Sequence, residues 1–143
     1  MPDTPPLRII DASLNRAGEG LRVVEDYVRF VLDDPLLMSQ LKSLRHDFAA
    51  VAAMIPAEER HAARDTSHDV GTDLSTQSEQ NRSDAWAVCA ASLKRTEQSL
   101  RSLEEYGKLV NGSFARQIES LRYRLYTLEK TLDIGRASQE RLE

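Results

Sequence analysis

Apolar residues recur at steps of three and four along four separate stretches of the chain, and this spacing restricts the fold more than any other feature. The first stripe runs Leu7, Ile10, Leu14, Ala17, Leu21, Val24, Val28 and Val31, and the second Leu37, Leu41, Leu44, Phe48, Val51 and Ile55. The third runs Trp86, Cys89, Leu93, Thr96, Leu100, Leu103, Gly107 and Val110, and the fourth Phe114, Ile118, Leu121, Leu125, Leu128 and Leu132. At 3.6 residues per turn each stripe occupies one helix face. The pattern predicts an all-α chain with helices over about 7–33, 35–55, 78–110 and 113–134. Pro35 suits a first helical turn and Pro56 ends the second helix, with room for a short helix over 57–63.

The stripes also repeat one another. Ile10 aligns with Cys89, and the first and third stripes superpose throughout at an offset of 79 residues. The second and fourth superpose at an offset of 77, as Leu44 aligns with Leu121. The difference falls in the turns, Asp33-Asp34-Pro35 against Asn111-Gly112, where length changes are tolerated. Polar residues keep the same register: Leu21-Arg22-Val23-Val24-Glu25-Asp26-Tyr27 returns as Leu100-Arg101-Ser102-Leu103-Glu104-Glu105-Tyr106, and Ser43-Leu44-Arg45 as Ser120-Leu121-Arg122. The expected fold is an antiparallel four-helix bundle of two duplicated helical hairpins (about 7–55 and 78–134) related by a pseudo-two-fold axis. Residues 1–134 are expected to form one domain and 135–143 a polar tail, frayed or leading to another domain.

Composition narrows the function classes. With 143 residues and a net charge of −4, non-specific nucleic-acid binding is not expected. Cys89 is the only cysteine, so no internal disulfide can form and a cytoplasmic location is the default. The first residues are neither basic nor apolar, and no apolar run approaches membrane-spanning length, so neither a signal peptide nor a membrane segment is expected. His46, His61 and His68 lack metal-ligand spacing, and there is no phosphate-loop or dinucleotide fingerprint.

Between the hairpins, residues 64–77 are rich in Asp, Ser and Thr and have no apolar period. Such a loop is either a solvated linker or a ligand loop whose hydroxyls and amides hold phosphate and whose carboxylates hold Mg²⁺. Arg16, Arg45, Arg95 and Arg122 flank the core stripes, where planar guanidinium forks can take an anion bidentately. Salt bridging competes with that role, above all for Arg22, Glu25, Arg101 and Glu104. Glu25 with Arg29 and Glu104 with Lys108 have the spacing of helix-surface ion pairs. Gly18 and Gly20 each cost up to about 1 kcal/mol in a helix interior, which points to close approach by a ligand or, more simply, by another helix.

The run Leu14-Asn15-Arg16-Ala17-Gly18-Glu19-Gly20-Leu21-Arg22-Val23-Val24-Glu25-Asp26 resembles the opening of a small thiamine-pathway domain, found alone or fused to thiamine-phosphate synthase. The resemblance continues at Leu44-Arg45-His46, Ala63-Arg64-Asp65-Thr66, Asp69-Val70-Gly71-Thr72, Lys94-Arg95 and Leu121-Arg122-Tyr123, covering about 7–132. Gly18 departs from it, standing where a larger residue, often Arg, is expected. The resemblance implies an ATP-dependent kinase that converts hydroxymethylpyrimidine monophosphate, and not the free pyrimidine, to the diphosphate.

Under that implication ATP and Mg²⁺ are the cofactors, and Arg16, Arg95 and Asp69 are the catalytic candidates. Asn15, Glu19, Glu25, Arg45, Arg64, Thr66, Thr72, Lys94 and Arg122 would bind substrate or ATP, and Asp65 and Asp69 the metal. Two other readings stand beside it. One is a non-catalytic docking or dimerisation module associated with thiamine-phosphate synthase, which could form a homodimer. The other is a different all-α enzyme acting on an anionic small molecule.

Overall fold

The computed structural model describes residues 4–72 and 81–142, with side chains described as far as Ser138. These residues form five α-helices and no strand. Helix α1 spans Thr4–Tyr27 and widens into a π-helical stretch, Val28–Leu32. Helices α2, α3, α4 and α5 span Pro35–Ala52, Ala57–Ala62, Ala85–Gly107 and Gly112–Leu142. No described helix is long and apolar enough to cross a membrane.

Local chemistry sets the boundaries. Asp33 adopts a left-handed backbone, with φ 53°, and so stops the first helix. The Asp34 carboxylate then accepts from the amides of Leu36 and Leu37, both at 3.0 Å, while Pro35 fills a first-turn position that needs no amide donor. Asp84 caps α4 by accepting from Ala87, and Asn111 caps α5 by accepting from Phe114. The expected start of the third helix, at 78, lies outside the described residues, and 81–84 are non-helical until Asp84 provides its cap. The fourth helix does not stop at 134. It continues to Leu142, because Gly135 is a single weak helix former in a run of good ones.

The four stripes are the core. Every residue of the second and fourth is buried, as are those of the first except Val31, which projects from the π-helical end. Burying each Leu or Ile contributes about 1.5–3 kcal/mol, so the stripes supply the main driving force. Helix α4 lies along α1, α5 packs on α4, and α2 rests against α5 and α1. Tyr27, at the end of α1, meets Trp86, at the start of α4, with ring centroids 5.6 Å apart, so these two helices run in opposite directions.

Gly20 explains how closely they run. A Cβ there would overlap Thr96 Oγ1 and lie 3.1 Å from the Ser92 carbonyl oxygen. Thr96 cannot easily turn away, because its hydroxyl donates to that same carbonyl at 2.7 Å. Gly18 differs: a Cβ would come no nearer than 3.7 Å to Phe48. We therefore expect Gly20→Ala to lower stability by about 1–3 kcal/mol through overpacking. Gly18→Ala should raise it by up to about 1 kcal/mol through helix propensity. Urea denaturation of the two variants checks the pair.

Candidate functional site

Residues from the first half of α1 and from the segment after α3 enclose a cleft of about 530 Å³. From α1 come Arg8, Asp11, Asn15 and Arg16, and from the opposite wall Arg64, Asp65, Thr66 and Asp69. The wall is fastened by Asp11, which is buried on α1. Its carboxylate accepts from Arg60 Nη1 at 2.9 Å and from Arg64 through both Nε and Nη2, the latter at 3.0 Å. The hydrogen bond from Arg64 to Asp11 raises the guanidinium's pKa, so it stays charged. A short 3₁₀ turn, Thr66–His68, follows, in which Asp65 accepts from Ser67 and pairs with His68, and Asp69 accepts from the Gly71 amide at 2.8 Å.

Six of the residues singled out from sequence meet here: Asn15, Arg16, Arg64, Asp65, Thr66 and Asp69. Arg8 and Asp11 were missed. Asp11 is charged yet lies beside a core stripe, and only its partners 49 and 53 residues later show why. Thr72 is near but outside the lining, with its hydroxyl donating to the Asp69 carbonyl. Glu19 is exposed. No group of three or more His, Cys, Asp or Glu residues that could hold a metal occurs among the described residues.

The other flagged cations are engaged elsewhere. Arg45 Nε donates to Glu25 Oε1 at 2.9 Å, and Arg122 grips Glu104 through Nε and Nη2. The hydrogen bond that Arg122 donates to Glu104 raises the Arg122 pKa. The expected pairs Glu25 with Arg29 and Glu104 with Lys108 do not form. Both glutamates are buried and face the next helix, so the arginine across the seam reaches them instead, while Lys108 pairs with Glu105. Arg95 is exposed and donates to Ser92 Oγ. Lys94 bridges Glu97 and Glu129 beside a separate cleft of about 380 Å³ that it lines with Trp86, Tyr126 and Lys130. The candidate anion-binding arginines Arg16, Arg45, Arg64, Arg95 and Arg122 therefore do not converge on this cleft, which only Arg16 and Arg64 of the five line. Cys89 is buried, and desolvation, aided by Glu129, pushes its thiol up to about 12, which fits a packing residue and not a nucleophile.

Removing a charge from a buried pair leaves its partner uncompensated, so Glu104→Ala should cost about 3–5 kcal/mol. Glu25→Ala should cost less, because Arg45 keeps more contact with water (27% exposed against 12% for Arg122). Thermal denaturation compares them. Asp11→Ala should leave the stripes packed but release 57–69 from α1, seen as faster amide exchange in that segment than in α4.

The ThiD2 family matches this chain over residues 8–131. The chain is also similar to curated proteins named thiamine-phosphate synthase. That of Rhodopirellula baltica is 47% identical over 92% of this chain, and that of a Nostoc species 45% over 87%. That of a Synechocystis species is 44% identical over 95%. The aligned region makes up 35%, 34% and 38% of those proteins, so the chain spans about a third of their length. No solved structure matches. These relatives correct one expectation: at 38–47% identity over most of this chain they are named as the synthase and not as a phosphomethylpyrimidine kinase, so the ATP-dependent kinase assignment is withdrawn.

Proposed function

The chain belongs to the ThiD2 family, and from that premise we propose that it is a helical module of thiamine biosynthesis working in association with thiamine-phosphate synthase. The observation that carries this reading is that nearly the whole chain aligns with about a third of proteins bearing that name. A segment that recurs as one unit within a longer protein is suited to docking against the rest of it.

The cleft between α1 and 64–69 is the surface through which the module would hold a ligand. Arg8 and Arg16 offer guanidinium forks, Arg64, whose Nε and Nη2 are given to Asp11, has Nη1 left to donate, and Asn15 and Thr66 offer neutral hydrogen bonds. A phosphorylated molecule matches these groups, and the product in the relatives' name is itself a phosphate. Asp65 and Asp69 would take Mg²⁺ together with phosphate oxygens, since this ion is commonly held by one or two carboxylates plus ligand phosphate. The same premise accommodates an origin by duplication, with the two hairpins forming an antiparallel four-helix bundle. The ion pair Glu25–Arg45 and its counterpart Glu104–Arg122 support it, joining matching positions in each half.

Sedimentation of the chain with a thiamine-phosphate synthase should give a complex at micromolar concentrations. Independent boundaries for the two proteins at about 100 μM would refute the association. Calorimetric titration with inorganic phosphate and pyrophosphate, with and without Mg²⁺, tests the cleft. Arg16→Ala should weaken binding about tenfold, or about 1.4 kcal/mol, with helix content unchanged. Undiminished affinity would remove the ligand from this cleft and leave the association standing.

A further inference from the structure

The centre around Lys94 takes no part in the reading above. Glu97 on α4 is only 5% exposed, and its Oε2 has no hydrogen-bond partner among the described residues. Lys94 Nζ lies 3.2 Å from Glu97 Oε1 and 3.2 Å from Glu129 Oε2 on α5, so one cation serves two carboxyls. At the matching places in the first hairpin stand Asn15, Gly18 and Ala52, none of them ionisable. The arrangement belongs to the second hairpin alone.

We propose that the buried Glu97 keeps a proton beside Glu129 at the α4–α5 seam, and that its loss sets the two carboxylates against each other and loosens the seam at the cleft lined by Lys94 and Glu129. Two carboxyls in one poorly solvated place cannot both ionise freely. A bound proton also makes Glu97 Oε2, which has no donor of its own among the described residues, a neutral hydroxyl or its partner. Burial first, and then the hydrogen bond with Glu129, hold Glu97 up to about 7 against the opposing pull of Lys94. Among the described residues, Glu129 and Lys94 are the charges acting on it. Lys130 and Asp133 of α5 line the same cleft, and α1 approaches the other side of α4 through Gly20, against Ser92 and Thr96.

An acid whose folded value lies above its unfolded one takes up a proton on folding. Its stabilisation is complete below about pH 4.5 and is lost as the pH rises through about 7. The test is a carbon-13 carboxyl titration of Glu97 in the full chain, with urea denaturation of the wild type and Glu97→Gln over the same range. Glu97 should titrate near neutrality, and the wild-type midpoint should fall relative to the variant's between about pH 5 and about pH 8. A Glu97 titration in the ordinary carboxylate range, or parallel midpoint curves, overturns the proposal. Glu129→Gln separates the effect of the neighbouring carboxylate from that of burial. The Glu97 titration should move down in that variant, and an unmoved titration refutes the opposition of the two carboxylates. The wild-type and Glu129→Gln titrations stand even if Glu97→Gln fails to fold.

Discussion

Everything in this molecule is arranged around the contact between α1 and α4, and that contact depends on one missing side chain. At Gly20 the backbone of α1 comes close enough to Ser92 and Thr96 that a methyl group has no room. Ile10, Ala17, Cys89 and Leu103 are fully buried at this depth in the fold. With one face of α1 held against α4, the polar positions Asn15 and Arg16 are left exposed, and that is where the cleft forms. A glycine that costs helix stability in isolation is thus what lets two helices share one core.

The helices were legible in the sequence because their signal is local. Stripe residues, turn aspartates and prolines act within a few positions of one another, and nearly all the expected stripe residues are buried. The candidate cleft was legible only in part. Asn15, Arg16, Arg64, Asp65, Thr66 and Asp69 were found by residue chemistry and do share a cleft. Asp11 was not, because its meaning depends on Arg60 and Arg64 arriving from another element. The grouping of Arg45 and Arg122 with Arg16 failed for a related reason. Spacing along a helix says that an arginine lies near a seam, but not that a buried glutamate across that seam will take it first.

The halves resemble each other in register and differ in content. Where the first has Asp11, fastening a wall and opening a cleft, the second has Ala90; where the first has Gly18 and Ala52, the second has Glu97 and Glu129. Both keep the interhelical glutamate–arginine pair. The interhelical ion pair is common to the two halves of the sequence, and the buried carboxylates beside the clefts, Asp11 in one and Glu97 in the other, are not.

Asp11 has a consequence of another kind. The wall bearing Arg64, Asp65 and Thr66 has no fully buried residue in Ala57–Ala62 or Thr66–His68, so it is tied to the bundle chiefly by charge. The bundle itself is tied by apolar burial. Salt at about 1 M leaves apolar burial intact or strengthens it, and it screens the half-exposed Arg64 more than the buried contact between Arg60 and Asp11. The molecule therefore carries two fastenings that answer differently to ionic strength, and a saline solvent would slacken the outer edge of the wall before it touched the body.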